Sequence, residues 1–269
     1  MPSVSVNGLD YAYEESGSGT PVVFAHGLTF DRHMWDPQVA ALSSRYRCIA
    51  YDLLGHGASA GGRDGYSLED EAENLHELMA RWGATPAHIV ALSMGGMMTM
   101  RFAIAHPQEV LSLALFDTSA EEEEAENVPR YEALLAASRG PNLAVAAEAV
   151  AAIMFSVGFR ESRPDAVAAY KESYIALDFD AIEPALKAVT GRTNVLPALS
   201  RLDVPALVVV GAEDVATTPD KPQHIAEAIP GARLETIAGA GHMSVVEQPE
   251  RATELLSSFL DGIADGGPK

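Results

Sequence analysis

The chain has 269 residues, 48% of them hydrophobic, and carries 18 Lys plus Arg against 38 Asp plus Glu, a formal net charge of −20. This suits one large domain with an ample core and argues against nucleic acid or anionic membranes as partners, because phosphate recognition needs basic patches. No apolar run approaches the roughly 20 residues that span a bilayer; the lone Cys48 and an N-terminus without a basic leader or apolar signal core point to the cytoplasm.

Residues 4–6 and 11–15 flank Asn7-Gly8 and predict an antiparallel hairpin at one sheet edge. Short apolar runs follow at 21–25, 48–52, 88–92, 111–116, 206–210 and 233–237, most of them without polar alternation, as expected of parallel strands buried on both faces. Helical patterns separate them, including 67–82, 95–105 and 249–263. Ser67-Leu-Glu-Asp70 and Thr217-Thr-Pro-Asp220 have the form of helix starts, a capping hydroxyl followed by acids. Such alternation predicts an α/β fold with a mostly parallel, doubly wound sheet.

One interval breaks the rhythm. Between residues 120 and 203 no strand pattern occurs, and Ala-rich helical segments succeed one another at 128–138, 142–155, 164–176 and 181–189. Packed only on itself, this would be a helical excursion. Inserted between two late strands, it predicts a helical cap over the C-terminal ends of the strands, where open α/β sheets bind ligands. The expected division is a core of residues 1–119 and 204–265 with a cap of 120–203. Glu121 to Glu124 are expected to be solvated, and residues 265–269 to form a frayed tail.

The stretch Ile89-Val-Ala-Leu-Ser-Met-Gly-Gly96 begins as a strand and ends as a helix, with Ser93 at the junction. A sharp strand-to-helix turn holds its residue above the sheet and requires small neighbours two positions away, here Ala91 and Gly95. A helix-capping serine would also fit this place. A nucleophilic serine needs a base, and the base an orienting acid. His242, in the small-residue loop Ala238-Gly-Ala-Gly-His242, follows the last strand. His88, His106 and His56 read as capping, surface or structural groups, and His76 and His224 fall within helices without a motif. Asp214 ends the run that begins at Val208, with Glu213 beside it. Asp117, at the end of the earlier strand, is a second contender that could equally cap a helix. A tight turn at His26-Gly27-Leu28 would offer the Leu28 N–H, with that of Met94, as an oxyanion hole.

His26-Gly27, Asp52-x-x-Gly55-His56-Gly57, Ala91-x-Ser93-x-Gly95-Gly96, Gly211-x-x-Asp214 and Gly241-His242 together resemble the α/β-hydrolase superfamily over nearly the whole chain. Within it the chain looks most like 3-oxoadipate enol-lactonases and related carboxylesterases. The resemblance implies cofactor-free hydrolysis of a small-molecule ester or lactone, with Ser93, Asp214 and His242 catalytic, Leu28 and Met94 forming the oxyanion hole, and no metal. It leaves a homo-oligomer open. Cofactor-free perhydrolases, C–C bond hydrolases and non-catalytic receptors of the same fold are the alternatives. Trp35, Met97, Tyr131, Met154 and Phe155, beside Leu28, are candidates for the substrate pocket; Arg130, Arg160, Lys171 and Arg192 are the cations that could meet an anionic substrate.

Overall fold

The computed structural model describes residues 2–264, so the tail expected at 265–269 lies outside the described residues. Among the described residues, eight strands form one sheet: β1 (Ser3–Val6), β2 (Leu9–Gly17), β3 (Pro21–Ala25), β4 (Arg47–Tyr51), β5 (Ala87–Leu92), β6 (Val110–Phe116), β7 (Ala206–Gly211) and β8 (Arg233–Ile237), in the order β1-β2-β4-β3-β5-β6-β7-β8. The β1–β2 and β2–β4 pairs are antiparallel and the rest parallel. The hairpin over Asn7-Gly8 therefore sits at one edge, as its sequence predicts.

The inner strands are buried on both faces because their side chains alternate between two cores. Val23, Ala25, Ile89, Ala91, Leu113, Leu115 and Val208 face one side, packed on α2 (Leu68–Trp82) and α3 (Met94–Ala105). Val22, Phe24, Val90, Leu92, Ala114, Phe116, Leu207 and Val209 face the other, toward α1 (Asp36–Leu42) and the C-terminal helix Pro249–Ala264. Helix α2 starts on a capping box, Ser67 with Asp70, and stops at left-handed Gly83.

Between β6 and β7 the chain runs through α4 (Val128–Ser138), α5 (Leu143–Met154), α6 (Val157–Ser162), α7 (Pro164–Ile175), α8 (Phe179–Thr190) and α9 (Leu196–Leu199). The short α6 and α9 have no counterpart in the sequence reading, since four to six residues show no helical period. After β7 come α10 (Asp220–Ala228), then β8, α11 (Ser244–Glu247) and α12 (Pro249–Ala264). Strand β3 lies between β4 and β5, so the winding reverses there, and the loops after β3 and β5 meet at the sheet's C-terminal edge.

Candidate active site

Ser93 is the single residue between β5 and α3, at φ 53° and ψ −117°. A side chain in this left-handed region costs on the order of 1–3 kcal/mol and must be held by its surroundings. The Ser93 N–H donates to Phe116 O at 3.0 Å, and the Thr118 hydroxyl donates to Ser93 O at 2.7 Å. Gly95 is obligatory here. A Cβ at that position would lie 2.6 Å from the carbonyl oxygens of Ala25 and His26, forcing α3 off the loop after β3.

From Ser93 a chain of hydrogen bonds runs inward. Ser93 Oγ is 2.9 Å from His242 Nε2, and His242 Nδ1 is 2.9 Å from Asp214 Oδ2. Asp214 is fixed in turn. Its Oδ1 accepts from the N–H groups of Ala216 (2.8 Å) and Thr217 (3.0 Å), and its Oδ2 accepts from the Thr217 hydroxyl at 2.8 Å. Thr217 thus serves the acid rather than capping a helix. Helix α10 instead begins at Asp220 without a side-chain cap, which corrects the helix start expected from Thr217-Thr-Pro-Asp220.

An acceptor carboxylate at Nδ1 places the imidazole proton there and leaves Nε2 free to accept from Ser93. Burial works against the charged form of His242, but the charge and hydrogen bond of Asp214 outweigh it, so its pKa lies above the ordinary 6.5. Burial likewise opposes ionisation of Asp214, and the His242 partner with the Thr217 donors still holds it below the usual carboxylate range. The neighbouring Asp117 is different. It is fully buried, its Oδ1 accepts from the Gly211 N–H at 2.8 Å, and its Oδ2 meets the Ser244 hydroxyl. Burial and then the charge of Asp214 push this carboxyl well above the usual range. Glu213, the other contender, is exposed.

The loop after β3 lies against the serine. A Cβ on Gly27 would come within 3.2 Å of Ser93 Cβ. His26 braces this loop, its Nε2 accepting from Leu53 N–H at 2.9 Å while Nδ1 lies 2.7 Å from Gly27 O. Burial lowers its pKa, so it stays neutral. His56 is likewise neutral, pushed down to about 3 by burial, with Nδ1 on Leu54 O. Met94 opens α3, so its N–H has no partner within the helix. Among the described residues neither this N–H nor that of Leu28 meets an acceptor.

Ser93 and His242 open into a cavity walled by both parts of the chain. Leu28, Met94 and Met97 line it from the sheet side; Tyr131, Leu134 and Leu135, then Val150, Ile153 and Met154, then Ile182, Leu186 and Val189, line it from three helices of the insertion. Each triplet falls at i, i+3 and i+4 or at i, i+4 and i+7, a helical stripe that the sequence contains but that reads equally well as ordinary core. Leu28, Met97, Tyr131 and Met154, candidates from the sequence, line the cavity. Trp35 and Phe155 do not. Trp35 is fully buried between Phe24 and Phe116, with ring centroids 5.5 and 6.0 Å away, and Phe155 packs among Phe159 and Tyr170.

The buried charges in the cavity wall are paired within the protein. Arg192 is buried, donating to Glu121 O and Val189 O and pairing with Glu123 at 2.9 Å. Glu123 is thus not the solvated residue its acidic run suggests, and Glu121 pairs with Lys221 at 2.8 Å. Arg130 lines the cavity from an exposed position, whereas Arg160 and Lys171 line a separate shallow hollow beside Glu148 and Glu161. His88, read from sequence as a capping or surface group, is buried and bonded to Ser112 Oγ at 2.8 Å.

Among the described residues the metal-ligand types converge at His76, His106 and Glu109, at the other end of α3 from Ser93. The two imidazoles stack 4.2 Å apart with their planes 2° from parallel. No point lies in both ring planes, so their lone pairs cannot meet on one ion as placed.

A doubly wound sheet with a strained serine after its fifth strand, hydrogen-bonded through histidine to aspartate, has the architecture of the α/β-hydrolase class. The alpha/beta hydrolase fold family matches residues 20–249, and the chain belongs to it. It is 28% identical to 3-oxoadipate enol-lactonase 2 of Acinetobacter baylyi over 94% of this chain and 92% of that one. The enol-lactonase of Burkholderia xenovorans LB400 superposes with a TM-score of 0.89 at 29% identity, over 97% of this chain and all of the other. A thermophilic esterase of Thermogutta terrifontis, in a malate-bound structure, gives 0.89 at 26% identity over 97% of both.

Proposed function

We propose that this chain is a serine hydrolase that cleaves a carboxylic ester or lactone through an acyl-enzyme. The observation that carries this is the unbroken chain Ser93 Oγ–His242 Nε2 and His242 Nδ1–Asp214 Oδ2, both steps 2.9 Å. His242 takes the Ser93 proton as Oγ attacks the carbonyl carbon, and Asp214 stabilises the imidazolium that results. The N–H groups of Leu28 and Met94 receive the oxyanion, at roughly 3–4 kcal/mol per donor in comparable enzymes. His242 then protonates the leaving alkoxide, and a water it deprotonates releases the acid. Residues 120–203 act as a cap that shapes the acyl site.

The cavity favours an uncharged acyl group. Its walls are mostly apolar, and Arg192, its buried cation, is already paired with Glu123 and donates to two carbonyls. Each methylene buried there is worth about 0.8 kcal/mol, about fourfold in kcat/KM. Across p-nitrophenyl esters from acetate upward, kcat/KM is expected to climb by roughly that factor per carbon until the cavity is full. An ester ending in a free carboxylate should fall at least tenfold below its methyl-terminated equivalent. A carboxylate-terminated ester or lactone as the best substrate would transfer the specificity to the exposed Arg130.

The pH dependence follows from His242. Only its neutral form accepts the serine proton, so kcat/KM should rise with pH and level off. Because Asp214 raises the His242 pKa, the half-maximal point should lie above the ordinary value of about 6.5. A rate that falls as pH climbs through this range would remove His242 from the role of base.

A further inference from the structure

The loop that carries His242 is fastened to the helical insertion as well as to the sheet. Gly241 N–H donates to Glu247 Oε1 at 2.9 Å, while Glu247 Oε2 accepts from Ser156 N–H at 3.1 Å and from the Ser156 hydroxyl at 2.5 Å. One residue beyond His242, Met243 N–H donates to Met154 O at 3.1 Å. The two backbones touch. A Cβ on Gly241 would lie 2.7 Å from Ser156 N, so no side chain fits there.

Met154 and Met243 also line the cavity. An acyl group that fills this wall presses on both sides of the junction, one step from the imidazole. Neither contact of Glu247 is with Ser93 or Asp214, and its carboxylate lies buried where an apolar residue could provide bulk alone. What the carboxylate adds is two acceptors shared between segments about 85 positions apart in sequence, where leaving the buried N–H groups unmet would be costly.

We infer that Glu247 is a positioning residue: through Gly241 and Ser156 it couples occupation of the acyl cavity to the placement of His242. This rests on the serine hydrolase reading above. The charge of Glu247 also favours that of His242, behind that of Asp214. Isosteric replacement of Glu247 by Gln keeps one acceptor but sets an N–H₂ group against one of the two backbone N–H groups, Gly241 or Ser156, so the two-sided link is broken while the packing is kept.

The test uses alkyl fluorophosphonates of short and long chain on the full-length protein, which report attack by Ser93 without needing the true substrate. In the wild type the long probe should exceed the short one both in binding and in the rate of the bonding step. Glu247→Gln and Ser156→Ala should each lower the bonding rate of the long probe about tenfold or more, leave the binding advantage of its chain, and shift Tm by only a few degrees. Met154→Ala should slow the long probe in the wild type and add nothing further in Glu247→Gln. Bonding rates unchanged in both variants, or lowered equally for the two probes in step with Tm, would make Glu247 a packing residue and overturn the inference. A wild-type protein that no probe labels at Ser93 would instead overturn the hydrolase reading on which it stands.

Discussion

Ser93→Ala is expected to lower kcat for ester hydrolysis by roughly six orders of magnitude, the loss seen when the nucleophile of such an assembly is removed. The fold should survive. The backbone at Ser93 is strained at φ 53°, but Ser and Ala carry the same Cβ and so suffer the same strain. The N–H to Phe116 O and the carbonyl that accepts from Thr118 are main-chain groups and remain in place. What is lost is one hydroxyl, and His242 Nε2 then faces the cavity, where water can reach it. Circular dichroism and Tm close to wild type, with no fluorophosphonate labelling and no acid released, is the expected pattern. A variant that retains more than about a thousandth of the wild-type rate would mean that water attacks without Ser93, and the acyl-enzyme route would fall.

That serine could be found from sequence because its surroundings are local. A strand that turns into a helix within one residue dictates small side chains nearby, and Gly95, 2.6 Å from two carbonyls, shows the reason in the structure. The inner strands were legible for a similar reason, each alternating between two buried cores and therefore almost wholly apolar. Direction was not legible. Nothing in the spacing of Trp35 says that it turns back between Phe24 and Phe116 instead of toward Ser93, because both places suit a large ring. Thr217 has the chemistry of a helix cap and of a carboxylate partner alike; the approach of Asp214, three residues earlier, decides between them. Glu123 reads as part of an exposed acidic run until Arg192, 69 positions later, folds onto it. The placements of Trp35 and Glu123 depend on contacts that local sequence does not encode.

The second large effect distinguishes two acids that the sequence leaves in competition. Asp214→Asn should reduce kcat about 10⁴-fold, while Asp117→Asn should lose far less. In Asp214, Oδ1 accepts from two backbone N–H groups, so an asparagine keeps its oxygen there and must place its amide nitrogen where Oδ2 stood. That nitrogen donates toward His242 Nδ1, so the imidazole proton moves to Nε2, the atom that has to accept from Ser93. The catalytic base is then occupied by its own proton. Asp117 meets no such conflict. Its Oδ1 accepts from Gly211 N–H and its Oδ2 side faces a serine hydroxyl that can turn to accept instead of donate. Since burial and the Asp214 charge already favour a protonated Asp117, an amide closely mimics the form it takes. The pH profile offers a separate check. Asp214→Asn removes the charge that holds His242 above its ordinary pKa, so whatever activity survives should reach half its maximum at lower pH than in the wild type. If Asp117→Asn proves the more damaging change and Asp214→Asn keeps the wild-type profile, the orienting acid belongs to the end of β6, and the Asp214 contact serves only to hold the loop.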